Sequence, residues 1–91
     1  GRTLMQVFKS KAPELIGFQW VEGISVKDKL VELIGNEDFQ LTSDEDLGLV
    51  FLEYKGYFMD IFHGDWVLKY PDGSILAMEP EELYATYVKV C

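Results

Sequence analysis

The single histidine, His63, stands between two carboxylates in Asp60-Ile-Phe-His-Gly-Asp65, the one stretch where the sequence gathers an imidazole and acids together. A carboxylate that orients an imidazole makes a general base, which is the chemistry this trio could perform. A metal site would need a third or fourth ligand in fixed geometry, and the spacing fits neither helical nor zinc-finger patterns. His-Gly-Asp is also ordinary turn composition, since glycine tolerates a left-handed backbone and aspartate accepts bonds from nearby amides. The turn is the simpler account.

Other candidate chemistry is weaker. Ser10, Ser25, Ser43 and Ser74 fall in a break, a helix cap, an acidic loop and a turn exit, none of them a strand-to-helix elbow that would expose a nucleophile. The glycines form no phosphate-cradling loop ahead of a helix. Asp44-Glu45-Asp46 lacks the alternating ligands and central glycine of a calcium loop. The only cysteine is Cys91, so neither a disulfide framework nor a zinc cluster is expected. The expectation is a protein without enzymatic activity, metal or cofactor, with a small enzyme built on His63 as a remote alternative.

A chain of 91 residues, 48% hydrophobic and 14% aromatic, describes one α+β domain over 1–91, with 1–13 as an arm or short strand that docks onto it. No apolar run approaches the roughly 18 residues that span a bilayer, and no secretory signal is recognised, so a cytoplasmic protein is expected. Net charge is −8 and unevenly spread: residues 1–35 carry five Lys and Arg against four Asp and Glu, residues 36–91 three against twelve. Such a chain repels polyanions, which argues against nucleic acid and in favour of basic protein surfaces.

The elements follow from periodicity and punctuation. Glu14 to Glu22 alternates with period two and reads as a strand with Ile16, Phe18 and Trp20 inward. Ser25 with Asp28 resembles a capping box, opening a helix that runs to about Ile34 and stops at Gly35, with Val26, Leu30, Leu33 and Ile34 on its apolar side. Phe39 to Leu41 is a brief strand before the acidic loop 43–46. Leu47 to Tyr54 is apolar enough to suggest a strand buried on both faces. Lys55-Gly56 is a tight turn into Tyr57–Phe62, and His63-Gly64-Asp65 and Pro71-Asp72-Gly73 are further turns around the strands 66–70 and 74–78. Pro80, followed by two carboxylates, opens a short helix in which Leu83 and Tyr87 make the apolar contact. The expected fold is an antiparallel β-meander of about four to five strands with one packed helix and a short C-terminal helix.

Phe18-Gln19-Trp20, the run Gly64-Asp65-Trp66-Val67-Leu68-Lys69, Asp72-Gly73, Pro80 and Ala85-Thr86-Tyr87 together resemble a family of small, uncharacterised bacteriophage and prophage proteins. That family has an early "FQW" strand, a "GDWIVKG-x-x-G" hairpin and a "KPDIFEATY"-like end. The resemblance covers roughly residues 13–90, and Gly73 to Tyr87 align without gaps. The chain departs at Glu79, where the family usually has Lys, at Leu83, where it has Phe, and at Ala77-Met78, where it often has Pro-Cys. The resemblance implies a phage origin, hence the cytoplasm of a bacterial host, and carries over no catalytic residue.

Within that frame Trp20, Gly64, Asp65, Trp66, Gly73, Pro80 and Tyr87 are expected to be structural. Phe8, Phe18, Trp20, Phe51, Phe58, Phe62 and Trp66 are expected in the core. The expected binding surface joins Asp44, Glu45 and Asp46 to half-exposed tyrosines, Tyr54, Tyr57, Tyr70 and Tyr84, and would meet a host protein with a basic surface, such as one used in defence or transcription. A small-ligand binder is the alternative; an anionic ligand would require Arg2, Lys9, Lys11, Lys27 or Lys29 to converge.

Overall fold

The computed structural model describes residues 6–9 and 14–89, with side chains for 14–87. In chain order the elements are β1 (Gln6–Lys9), β2 (Leu15–Gln19), α1 (Val26–Ile34), β3 (Gln40–Asp44), β4 (Leu49–Tyr54), β5 (Tyr57–Phe62), β6 (Trp66–Lys69), β7 (Ile75–Met78), α2 (Pro80–Thr86) and β8 (Val88–Lys89). The class is α+β, as expected. The remainder of the proposed docking arm, 1–5 and 10–13, and Cys91 lie outside the described residues.

Local signals placed the elements well. The Ser25 side chain accepts from the Asp28 N–H at 3.2 Å, and α1 ends at Gly35, whose N–H donates to the Val31 carbonyl at 2.8 Å and whose φ of 94° turns the following chain out of the helix. Val26, Leu30 and Leu33 are buried on one side of the helix. Pro80 occupies the first turn of α2, with Glu81 and Glu82 beside it. Lys55 and Gly56 both have positive φ, 53° and 82°, the conformation of a two-residue hairpin turn.

The expected single meander does not form. The strands divide into a five-stranded sheet of order β7-β6-β2-β1-β8 and a three-stranded sheet of order β3-β4-β5, with every pairing antiparallel. β5 and β6 follow each other in sequence but belong to different sheets, because β6 pairs with β2 through Phe18 opposite Val67 and Gln19 opposite Trp66. Burial gives the reason: Trp66, Val67 and Leu68 are consecutive and all buried, so β6 must be covered on both faces and takes a place inside the larger sheet. β4, expected to be the doubly buried strand, is one-sided: Val50, Leu52 and Tyr54 face in while Phe51 and Glu53 are exposed.

Two clusters make the core. The larger packs Phe18, Val67 and Ile75 of the five-stranded sheet against α1 and the inner face of the smaller sheet, through Val50, Leu52 and Ile61. The smaller lies on the opposite face of the five-stranded sheet, where Leu15, Trp66, Leu68 and Met78 are closed over by Leu83 of α2. β2 therefore does not turn Ile16, Phe18 and Trp20 inward together. Phe18 is buried, Trp20 is half-buried and Ile16 is exposed, while Leu15 fills the second cluster on the other face.

Candidate functional site

The His63 turn is held by backbone and amide contacts. Asp65 is buried; its Oδ2 accepts the Phe62 N–H at 3.0 Å, and its own N–H donates to the Phe62 carbonyl at 2.9 Å. The Gly64 N–H donates to the Trp20 carbonyl at 2.8 Å, the Trp20 N–H to the Asp65 carbonyl at 2.9 Å, and Gln19 Nε2 to the Gly64 carbonyl at 3.1 Å. The turn thus fastens the end of β2 where the chain passes from one sheet to the other. His63 itself is exposed, with its ring edge-on to Trp20 at 5.4 Å. Among the described residues no hydrogen bond or ion pair joins it to Asp60 or Asp65, and no group of three or more His, Cys, Asp or Glu is placed to hold a metal ion.

Trp66 is buried and its Nε1–H donates to the Tyr84 hydroxyl at 3.2 Å, with the rings edge to face. Tyr87 and Tyr70 are half-buried against the same cluster. Partial burial, and then the neighbouring Tyr87, push the Tyr70 phenol above its usual range. Gly73 lies in the turn between β6 and β7. There the Ser74 hydroxyl and N–H both donate to Asp72 Oδ1, at 2.7 and 2.9 Å, which holds the Asp72 carboxyl below its usual range.

The anticipated acidic, tyrosine-lined surface is not one surface. Asp44, Glu45 and Asp46 sit at the turn between β3 and β4, whereas Tyr54 and Tyr57 flank the turn between β4 and β5 at the other end of the smaller sheet. A strand of six residues separates them, about 20 Å. Tyr54 is buried and belongs to the core; Tyr57 is exposed, and Tyr70 and Tyr84 lie with the α2 cluster. Ser43 and Asp44, expected in a loop, continue β3.

What is exposed instead is phenylalanine. Phe51, Phe58 and Phe62, expected in the core, are 40%, 76% and 47% exposed. Register places them together on the outer face of the smaller sheet: Asp60 pairs with Phe51, so Phe58 and Phe62 lie diagonally on either side of it. Glu53 pairs with Phe58 on the same face, and β3 contributes Gln40, Thr42 and Asp44. Among the described residues the charged side chains of this face are Asp44, Glu53 and Asp60, with no Lys or Arg. The signal was in the sequence. With period two, Phe51 shares a face with Glu53, and Phe58 and Phe62 share one with Asp60.

Beside this face a groove of about 580 Å³ separates β5 from β7, lined by Tyr57, Phe58 and Met59 on one bank and Ser74, Ile75 and Leu76 on the other. Lys55 and Asp72 also line it. Among the described residues no helix is long and apolar enough to cross a membrane. The described residues form an α+β protein of two antiparallel sheets and two helices. Comparison with protein-family models, with curated proteins and with solved structures finds no match in any of the three.

Proposed function

We propose that this is a non-enzymatic protein-binding domain that engages a basic protein surface with the outer face of its three-stranded sheet. The observation that carries the reading is the row Phe51, Phe58 and Phe62, exposed beside Glu53 and Asp60 on a face without a cation among the described residues. Contiguous apolar groups that stay open to water in a folded domain mark an interaction site, and aromatic residues are the side chains most enriched at interface centres. The carboxylates select the partner's charge, and the net charge of −8 steers it from a distance. The acidic turn at Asp44–Asp46 extends the same field at the end of the sheet. The phage origin rests on the sequence resemblance; a host protein as the partner, modulated or inhibited by the contact, rests on the small size and the uneven charge of the chain.

The small-ligand alternative has the groove between β5 and β7 in its favour, since its volume is in the range of ordinary ligand sites. Lys55 is the one cation lining it, and Lys27 and Lys29 belong to α1, so an anionic ligand is a poor fit.

The test is capture from bacterial lysate on immobilised wild-type protein and on a Phe51→Ser, Phe58→Ser double variant of unchanged fold. A basic protein retained by the wild type and lost by the variant is the expected result. Equal retention by both would place the contact elsewhere and end this reading.

A further inference from the structure

The backbone of β5 has one open side. Tyr54 and Tyr57 flank the two-residue turn and exchange both of their hydrogen bonds, so Leu52 with Met59 and Val50 with Ile61 do the same. The residues between them, Phe58, Asp60 and Phe62, therefore direct N–H and C=O away from β4. At Phe62 both groups are taken by Asp65. At Phe58 and Asp60 no hydrogen bond meets them among the described residues, and β5 is the edge of its sheet.

Edge strands are commonly guarded by lysine, proline, a bulge or a covering element. β5, Tyr-Phe-Met-Asp-Ile-Phe, carries neither lysine nor proline; β7 comes within 8 Å of it between Cα atoms, and the groove opens between the two strands beside Tyr57, Phe58 and Met59. The other edge of the same sheet, β3, is Gln-Leu-Thr-Ser-Asp and mostly polar. We infer that the open edge of β5 receives an extended segment of a partner protein, in which basic and apolar residues alternate, as a fourth strand of the three-stranded sheet.

The alternation follows from the two sides of the edge. Partner residues on the outer face would meet Phe58 and Asp60, with Glu53 one strand further in, which suits the apolar stem and cationic head of Lys or Arg. Their neighbours would point into the groove against Met59 and Leu76, which suits branched aliphatic side chains. Asp72, which also lines the groove, adds a carboxylate, held in place by the Ser74 hydroxyl and N–H that both donate to its Oδ1. A second copy of this chain is a poor occupant. It would bring its own Asp60 to the edge, and each copy carries a net charge of −8.

The inference rests on the protein-binding reading and specifies its mode. The probe is a short, end-blocked peptide alternating lysine with valine, compared with the same peptide methylated on the backbone nitrogens of alternate residues. Strand pairing predicts that the Phe58 and Asp60 amides exchange about tenfold or more slowly when the peptide saturates the protein. It also predicts that one of the two methylation registers weakens binding about tenfold or more, because it removes donors and leaves side chains intact. Asp60→Pro, which costs β4 no hydrogen bond, should weaken binding further than Asp60→Asn, which removes the charge alone.

If the peptide binds and responds to Asp60→Asn, but both methylated forms bind equally well and the two amides gain no protection, strand addition is overturned. The face reading would then stand on its lysate test. Failure of the unmodified peptide to bind also overturns the inference. So does a dimer in sedimentation that Asp60→Pro abolishes, which would make a second copy the occupant. Should Asp60→Pro not fold, the methylated peptides decide.

Discussion

Gly17 shows how one atom constrains this fold. It pairs with Leu68 across β2 and β6, and a methyl group built on it would run into the Val67 carbonyl and the Leu68 side chain. The obstacle is backbone in the middle of a sheet, which cannot swing aside as a side chain would. Gly17→Ala should therefore fall at the upper end of overpacking costs, about 3 kcal/mol, read as a shift of the urea midpoint at unchanged slope. A loss below about 1 kcal/mol would mean that β2 and β6 can part more easily than their register implies. Trp66 makes the complementary case. Trp66→Ala should cost about 3–5 kcal/mol through lost burial and a residual cavity. Trp66→Phe should cost far less, although it deletes the bond to Tyr84, because Tyr84 is 56% exposed and its hydroxyl can turn to water. Comparable losses from both variants would put the weight on the hydrogen bond instead.

Among the elements, the β4–β5 hairpin is the one that carries the proposed surface, and its turn is imperfect. Lys55 holds a φ of 53°, a left-handed conformation that costs a side chain with a Cβ about 1–2 kcal/mol. Its ammonium lies 5.4 Å from the Tyr54 ring centre, a contact worth about 0.5 kcal/mol at an exposed site. Strain outweighs attraction, and asparagine tolerates this backbone much better. Lys55→Asn should accordingly raise stability by about 0.5 kcal/mol, measured by thermal melting, and should leave the register of Phe51, Phe58 and Phe62 as it is. A destabilised variant would show that the Lys55 contact with Tyr54 holds the turn together. Helix α1 calls for no such correction, since the Ser25 cap and the Gly35 stop satisfy its ends directly.

For the molecule as a whole, charge is the property that acts before any contact is made. Replacing Asp44, Glu45 and Asp46 with Asn, Gln and Asn should leave folding nearly unchanged, because the amide replacing the Asp44 carboxylate keeps an oxygen to accept the Leu47 N–H, now bonded to Asp44 at 3.2 Å. Association with a basic partner should slow, and dissociation should change little. Physiological salt shortens the screening length to about 8 Å, so the wild type should slow with added salt more than the variant does, and their rates should converge. Salt-independent association, equal for both proteins, would reduce the acidic turn to a solubilising surface and leave the phenylalanine face to account for binding by itself.

The turns, caps and strand positions were legible in the residues because each is decided within a few positions along the chain. Ser25 bonds three residues ahead, Gly35 ends a helix by its own φ, and Lys55-Gly56 reverses the chain in two residues. Partnership between strands was not legible in that way. β6 could pair with its sequence neighbour β5 as far as periodicity shows, and it joins β2 because three consecutive buried side chains need cover on both faces. That choice leaves β5 at an edge and the outer face of its sheet uncovered, so Phe51, Phe58 and Phe62, large enough to pass for core residues, meet water instead. Hydrophobicity says which side chains favour burial. Which of them obtain it depends on how many faces the packed layers can close, and in this domain α1 and α2 both lie against the five-stranded sheet and leave the outer face of the smaller one open.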